Sequence, residues 1–349
     1  MNGYERVKRA IEFKGPDRVP TNYYHPLKGD VIPVGVVPPG SWQPPEPYCP
    51  FGVLPELIKM RIWRPKRPLP KNWHKTRHRG MDEWGCIWDV EGTVTSKGQI
   101  TKGALEESWD LLDSYQLPDM KNPERYKLFG AYMKILGKGK YRLACYDNFI
   151  FSRFHFLRGF SQGLTDLILH PEHSERLLDM METHYTDFIE MCGKYGAHGI
   201  EFPDDLGTQT DLLISPKLFR KFFKPRYTRM AEKAHQFGMH FIIHSCGNIG
   251  KLIPDLIEAG IDALQLDAPN QTGLDVLAEL AGGKIAFFNV VDTQQILPGG
   301  SKAEIEAYVA EMKSKLGSYN GGLIATTYPS LRSIGANKVQ EKIMFSSYR

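Results

Sequence analysis

The feature that most constrains the fold is a regular alternation of short apolar and longer amphipathic segments from residue 141 onward. Short apolar runs bounded by turn residues are typical of buried strands, and amphipathic runs of ten or more residues are typical of helices. The predicted strands are YRLACY (141–146), GIEFP (199–203), MHFIIH (239–244), DALQLD (262–267), KIAFFN (284–289) and GGLIAT (321–326). Helices are predicted between them, near 172–195, 215–237, 249–259, 273–281 and 302–317.

Strands that alternate with helices in this way favour a parallel sheet. Six such strands, with one or two earlier in the chain, predict an α/β fold of the (β/α)8 TIM barrel type. A doubly wound open sheet is the alternative, but it would require a G-x-G-x-x-G turn after a strand, and the sequence contains none. Because such barrels often reach this length as one unit, we expect residues 1–349 to form a single domain.

Residues 20–80 break the regular pattern, since they are rich in proline and aromatic side chains and show little periodicity. We expect an irregular excursion packed on the barrel, with aromatic members that include Trp42, Phe51, Trp63 and Trp73. Within it, residues 59–79 carry nine Lys or Arg and no acid. This basic stretch fits either a solvated loop or a docking surface for an acidic partner or anionic substrate, and charge alone does not decide.

Composition narrows the functional classes. The formal net charge of +4 gives no indication of nucleic-acid binding. No apolar run approaches the ~18 residues of a membrane span, and the N-terminus lacks the apolar stretch of a secretory signal, so we expect a cytoplasmic protein. The five cysteines are odd in number and widely spaced, which favours a metal ligand or nucleophile over a disulfide framework.

In a (β/α)8 barrel the chemistry lies where the strands end. The predicted strand 239–244 runs into His244-Ser245-Cys246-Gly247. Residues i and i+2 share a face, so the imidazole of His244 and the thiolate of Cys246 can meet at one point, and both groups suit Zn²⁺. An isolated H-x-C is a weak motif that also fits a buried histidine and a buried cysteine, but its place at a strand end favours zinc.

Other predicted strand ends carry acids and amides as well. Carboxylate oxygen is an acceptable zinc ligand beside nitrogen and sulfur, so Glu201 or Asp267 could supply a third ligand. Asp204 and Asp205 also fit helix caps or surface loops. The full set of additional polar residues at the strand ends comprises Asp204, Asp205, Gln209, Asn289, Asp292 and Gln294.

Longer segments resemble the uroporphyrinogen decarboxylase superfamily, and within it the branch of zinc-dependent, corrinoid-linked methyltransferases. Coverage is roughly the whole chain outside 25–80, and the combined pattern is far more specific than H-x-C. The resemblance implies a distorted TIM barrel, in agreement with the strand and helix pattern. The segments are ERVKRAIEFKGPDRVP (5–20), MDEWGCIWD (81–89), LPDMKNPERY (117–126), DDLGTQTDLLISPKLFRKFFKPRY (204–227), HFIIHSCGNIGKLIPDLIEAGIDALQ (240–265), FFNVVDTQQILPGG (287–300) and GGLIATTYPS (321–330).

The decarboxylases of the superfamily carry a paired-arginine signature near the N-terminus, whereas the matching RVPTNYYHPLKG lacks it. They also need no metal. The resemblance therefore implies methyl transfer, with Zn²⁺ as cofactor and a corrinoid (cobalamin) carried on a separate partner protein. Several relatives place a second cysteine after the last strand, but here that region reads ATTYPSL, with Tyr328 near the expected position and no cysteine after Cys246. A His-Cys-carboxylate site that uses Glu201 or Asp267 remains possible.

A metal site with one thiolate has a harder set of ligands, in the hard–soft sense, than a site with two. Such a site favours substrates that bind the metal through oxygen, and therefore ether cleavage. We therefore expect transfer of a methyl group from a methoxylated, aromatic substrate to the cobalt of a separate corrinoid protein (O-demethylation). Asp205, Gln209, Asn289 or Tyr328 would position the substrate or a proton near the leaving oxygen.

Three alternatives stay open. The first is methyl transfer from the methyl-corrinoid to a thiol such as coenzyme M or to a pterin. The second is a decarboxylase acting on a tetrapyrrole. The third is a non-catalytic protein that binds a corrinoid protein or a tetrapyrrole.

Overall fold

The computed structural model describes residues 1–25, 27–39, 77–90 and 98–349. Eight parallel strands form a nearly closed barrel, in the spatial order β1-β11-β10-β9-β8-β7-β6-β2, and a separate antiparallel sheet has the order β3-β4-β5. The (β/α)8 prediction is therefore confirmed. The strands are β1 Thr21–Asn22, β2 Val31–Gly35, β3 His78–Met81, β4 Ile87–Val90, β5 Gln99–Lys102, β6 Tyr141–Cys145, β7 Gly199–Pro203, β8 His240–His244, β9 Ala263–Leu266, β10 Ala286–Asn289 and β11 Leu323–Thr326.

Helices flank the barrel strands. Those of six or more residues in the described ranges are α1 Gly3–Ile11, α2 Tyr126–Ile135, α3 Ile150–Arg158, α4 Phe160–Leu169, α5 Pro171–Lys194, α6 Lys224–Gln236, α7 Ile253–Glu258, α8 Leu274–Ala281, α9 Lys302–Leu316 and α10 Lys338–Ser347. Shorter helical turns are Trp109–Asp113, Pro123–Arg125, Pro216–Leu218, Phe219–Phe223, Gly250–Leu252, Pro269–Gln271, Ile296–Gly299 and Leu331–Ile334. None of the helices in the described ranges is both long and apolar enough to cross a bilayer.

The six predicted strands are all present, with ends shifted by at most two residues. The expectation that residues 20–80 form an irregular excursion was wrong for its first part, because β1 and β2 belong to the barrel. Both are hard to recognise, since β1 has two residues and β2 contains Pro33, which breaks the usual strand pattern. The remaining aromatic positions of the excursion, and residues 59–76 of the basic stretch, lie outside the described ranges.

The helix predicted over 215–237 is interrupted. Ser215 caps its start, because the Ser215 hydroxyl accepts a hydrogen bond from the Leu218 backbone N–H at 3.3 Å, and Pro216 follows. Residues Phe219–Phe223 then form a π-helical turn before α6 begins at Lys224. Pro225 explains the change, since proline has no N–H to donate to an α-helical partner one turn earlier.

Helix α1 closes the amino-terminal end of the barrel. Its apolar face is buried with side chains from the barrel interior, and it contacts strands β2, β6, β10 and β11. The α1 members of this cluster are Val7, Ala10 and Ile11, and the strand members are Val31, Tyr141, Leu143, Ile242, Ala263, Ala286, Phe288 and Ile324. The barrel interior is therefore closed at this end by packed, mostly apolar side chains.

Buried ion pairs join the three-stranded sheet to the barrel, and the pair between Asp82 and Arg153 is the more deeply buried. The carboxylate of Asp82, at the end of β3, accepts a hydrogen bond from the Arg153 guanidinium of α3 at 2.7 Å. Both side chains are almost fully buried, and the guanidinium also lies over the Trp84 ring. Asp82 further accepts from the backbone N–H groups of Trp84 and Cys86 and from the Trp88 indole. The MDEWGCIWD segment is thus a structural anchor.

We expect Asp82→Asn to lower the free energy of unfolding by about 3–5 kcal/mol, because it leaves the Arg153 charge buried without a counter-charge. Guanidinium denaturation followed by circular dichroism measures this. The matched control is Asp113→Asn, which breaks an exposed 2.6 Å pair with Arg176 and should change stability by less than about 1 kcal/mol. An equal loss of unfolding free energy in the two variants would contradict the role of Asp82 as a structural anchor.

Candidate metal centre at the barrel mouth

The H-x-C pair lies at the carboxyl end of β8, where the prediction placed it. His244 is the last residue of the strand and lies in register with Pro203 of β7 and Gln265 of β9. The Cys246 thiol sulfur is 3.5 Å from His244 Nε2. Both side chains are half-buried, so the pair is neither sealed in the core nor free on the surface.

Asp205, from the turn after β7, completes a group of three. Its Oδ1 lies 3.5 Å from His244 Nε2 and accepts a hydrogen bond from the Cys246 backbone N–H at 3.0 Å. The potential ligand atoms of Asp205, His244 and Cys246 all lie within 4.8 Å of one another. Among the described residues, this is the set of histidine, cysteine and acidic side chains with the spacing to share a metal ion. We predicted Asp205 for substrate positioning, whereas the structure brings it to the H-x-C pair.

The neighbouring Asp204 has a different role. Its buried carboxylate accepts hydrogen bonds from the backbone N–H groups of Phe151 and Ser152, at the start of α3, and from the Tyr227 hydroxyl. The Ser152 hydroxyl in turn accepts from the Asp205 backbone N–H at 3.1 Å. Asp204 therefore fits the helix-cap interpretation, and its bonds fix the turn that carries Asp205.

The orientation of the His244 ring is set by a side chain that sequence reasoning missed. His244 Nδ1 is hydrogen-bonded to Gln265 Oε1, and Gln265 Nε2 donates to Asp267 Oδ1 at 2.8 Å. Because the amide oxygen can only accept, Nδ1 carries a proton and Nε2 is the nitrogen that faces Cys246 and Asp205. The available signal was a buried glutamine in an otherwise apolar strand.

The charges at the site are strongly coupled. Burial alone would raise the pKa of Asp205, but the hydrogen bond and charge of His244 and the Cys246 backbone amide lower it well below its usual range. Burial alone would likewise lower the pKa of His244, but negative charge at Cys246 and Asp267 and the bond to Asp205 raise it well above normal. Burial raises the pKa of the Cys246 thiol. A bound metal ion would compete with protons for His244 and Cys246.

The two carboxylates predicted to complete a zinc site lie outside this group. Asp267 is held by the Gln265 amide, as described above. Glu201 is buried in the barrel interior, where its carboxylate accepts from the Tyr24 hydroxyl at 3.1 Å and lies 3.6 Å from the Cys145 sulfur. Burial raises the pKa of Glu201. Tyr24 follows β1 and reaches β7, the third strand from β1 around the barrel, in a left-handed conformation with φ of 45°.

The other predicted positions are dispersed. Gln209 is exposed in the loop after β7, where its side-chain oxygen accepts from the Gln271 amide at 2.9 Å. Asn289 is fully buried at the end of β10 and accepts from the Leu266 backbone N–H at 3.3 Å. Tyr328 is half-buried, and its phenol interacts electrostatically with Asp267, Cys246 and His244. Of these three, Tyr328 is the one with an electrostatic interaction with the candidate centre.

Comparison with known proteins identifies the relatives of this chain. The sequence profile of the uroporphyrinogen decarboxylase (URO-D) family matches residues 152–326, half of the chain. A curated relative, the methylated-thiol–coenzyme M methyltransferase of Methanosarcina mazei, is 26% identical over 139 residues. That match covers 39% of this chain and 35% of the relative, so the chain spans about a third of the length of the protein it matches.

Among solved structures, a methyltransferase from Methanosarcina mazei superposes with a TM-score of 0.64 at 14% identity. The superposition covers 100% of this chain and 98% of that one. At this identity the likeness concerns the fold, and it agrees with the barrel described above. The resemblance to the uroporphyrinogen decarboxylase superfamily is confirmed by the family match.

Removal of the Gln265 side chain should weaken metal binding without removing a ligand. We expect Gln265→Ala to lower the affinity for Zn²⁺ or Co²⁺ by about 10–100-fold, because His244 loses the partner that fixes its ring and its protonated nitrogen. Competition with a chromophoric chelator gives the affinity. Gln209→Ala, which changes an exposed glutamine, is the control. Unchanged affinity in Gln265→Ala would contradict the role of the glutamine.

Proposed function

This chain belongs to the uroporphyrinogen decarboxylase family, and on that premise we propose that it is a methyltransferase. It moves a methyl group between a small methylated substrate and the cobalt of a separate corrinoid protein. The observation that carries the proposal is the convergence of His244, Cys246 and Asp205 at the carboxyl end of the barrel. This is the end at which barrels of this type place their chemistry.

The three residues fit a catalytic zinc ion. Imidazole nitrogen, thiolate sulfur and carboxylate oxygen are all zinc ligands, and three protein ligands leave a fourth position for substrate. The bond between His244 Nδ1 and Gln265 supplies the outer hydrogen bond that metal-binding histidines usually make. Bound there, zinc would act as a Lewis acid on an ether oxygen or lower the pKa of a substrate thiol.

We propose a methoxylated aromatic compound as the methyl donor. The donor set holds one thiol beside a carboxylate and an imidazole, and such harder sets favour oxygen ligands. In the reaction the methyl–oxygen bond breaks and a bond from carbon to the reduced cobalt forms with the electron pair of the cobalt. The leaving oxygen keeps the electron pair of the broken bond and takes up a proton.

The residues of the chain bind and orient the reactants. Tyr328 lies near the candidate centre with a high pKa, raised chiefly by burial, so its hydroxyl remains a hydrogen-bond donor at neutral pH. It is therefore suited to bind the leaving oxygen as negative charge develops there. Asp205 and Gln265 hold His244 from either side and keep the donor set aligned before substrate arrives.

A second candidate substrate is a thiol. The curated relative acts on methylated thiols and coenzyme M, which favours methyl transfer from or to sulfur. The same three side chains serve this chemistry, because a thiolate is a good zinc ligand and a good methyl acceptor. The two candidates share the metal centre and the corrinoid partner and differ in the substrate atom that bears the methyl group.

The metal can be tested without a substrate. We expect about one zinc per chain in the purified protein and almost none in Cys246→Ala, since loss of one of three protein ligands opens the site. Elemental analysis by mass spectrometry gives the content. The matched control is Cys192→Ala, which changes a buried cysteine of α5 and should keep its zinc. A wild-type protein that is free of zinc under metal-replete purification would refute the metal mechanism.

The substrate can be tested with free corrinoid as the probe. We expect the protein to convert cob(I)alamin to methylcobalamin with guaiacol as methyl donor, measured by the visible spectrum, and Cys246→Ala to be slower by about 100-fold or more. Methylcobalamin with coenzyme M tests the thiol alternative in parallel. Activity in the second assay alone would replace the ether by the thiol, and inactivity in both assays would reject methyl transfer.

A further inference from the structure

A basic groove lies at the other end of the barrel, away from the candidate metal centre. It is open to solvent and has a volume of about 650 Å³, between α2 and the segments that lead into β6 and β7, in the usual range of small-molecule sites. Five of its nine lining residues are Lys or Arg, and none is acidic. The lining consists of Tyr126, Lys127, Gly130, Ala131, Lys134, Lys138, Arg142, Lys194 and Tyr195.

Arg142 is the most buried of these cations. No aspartate or glutamate in the described part of the chain lies within 4.0 Å of its guanidinium. Its Nε is buried and makes no hydrogen bond. Its terminal nitrogen faces His198 Nε2 at 2.7 Å, while the Arg142 backbone N–H donates to His198 Nδ1 at 3.1 Å.

These two contacts with His198 cannot both be hydrogen bonds. Burial and the nearby Arg142 charge lower the pKa of His198 to about 4, so the ring is neutral at pH 7 and has one acceptor nitrogen. The backbone N–H and the guanidinium of Arg142 therefore compete for a single acceptor on the ring. Whichever donor takes it, one N–H of Arg142 is left without an acceptor there, in addition to the buried Nε.

The exposed lysines around Arg142 add further positive charge to the groove and provide no counter-charge for the guanidinium. Lys134 and Lys138 have no acidic partner within 4.0 Å among the described residues, whereas Lys127 and Lys194 are paired with Glu124 and Glu190. A partly buried guanidinium without a counter-charge is unfavourable unless an anion fills the place. Unsatisfied donors and several cations around one groove are the recognition chemistry of an oxyanion with several acceptor oxygens.

We propose that this groove binds the phosphate group of a small phosphorylated molecule, with Arg142 as the main contact and Lys134 and Lys138 at the rim. The partly exposed ring of Tyr195, which stacks on the buried Tyr126, forms the wall against which an organic portion would lie. The proposal is independent of methyl transfer. Arg142 is the second residue of β6, and the candidate metal centre lies beyond the opposite ends of the barrel strands.

Isothermal titration calorimetry with inorganic phosphate at a constant ionic strength of about 0.15 M tests the proposal. We expect saturable binding with a Kd of about 1 mM or tighter. The double variant Lys134→Gln/Lys138→Gln alters only exposed side chains and should weaken binding by about tenfold or more. Arg142→Lys keeps the charge but loses the forked donor geometry, and it should weaken binding by about fivefold or more.

Lys302→Gln, which changes an exposed lysine on α9, is the matched control and should leave the Kd unchanged. Circular dichroism establishes that each variant is folded. Adenosine monophosphate should bind at least as tightly as inorganic phosphate, and weaker binding would overturn the assignment to a phosphate ester. Wild-type affinity in both groove variants, or equal heats on titration with chloride, would overturn the site.

Discussion

The buried carboxylate of Asp204 is the contact on which the barrel mouth depends. It accepts hydrogen bonds from two backbone N–H groups at the start of α3 and from the Tyr227 hydroxyl of α6. At the start of α3 the helix dipole also favours negative charge. Burial nevertheless raises its pKa to about 6, because a charge is less favourable there than in water. One side chain thereby joins the turn after β7 to two helices. Because this turn is held in place, the adjacent Asp205 has a fixed position beside His244.

The register of the barrel decides which acid reaches the H-x-C pair. His244 lies level with Pro203, so Glu201 lies two residues below it along β7 and one layer deeper in the interior. Its carboxylate there meets Tyr24 and Cys145. Asp205 lies beyond the end of the strand, at a height from which it can turn back toward the mouth.

This layering also explains what the sequence can and cannot predict. The apolar strands after residue 141 and the H-x-C pair follow from local patterns, and the structure contains both. The acidic partner of the pair depends on the register between β7 and β8, which no local pattern encodes. Three acids within five residues look alike in the sequence but have different surroundings. Glu201 lies in the barrel interior, Asp204 caps a helix, and Asp205 lies beside the H-x-C pair.

Two further contributions were hidden for different reasons. Gln265 looks like one polar residue in an apolar strand, and its role appears only when β9 is aligned with β8. Tyr24 follows a two-residue strand in a segment without periodicity, so neither its place in the barrel nor its reach to β7 could be read from spacing. The same lack of periodicity hid β1 and β2.

Closure of the amino-terminal end by α1 affects the order in which reactants can bind. Because α1 fills the amino-terminal end of the barrel with packed apolar side chains, the described structure leaves the carboxyl end as the entrance to the interior. In the proposed reaction, the small substrate and the large partner protein must then both approach through the carboxyl end of the barrel. The substrate has to enter before the partner covers the opening, and the demethylated product leaves only after the partner departs. The proposed reaction therefore predicts a compulsory order of binding and release.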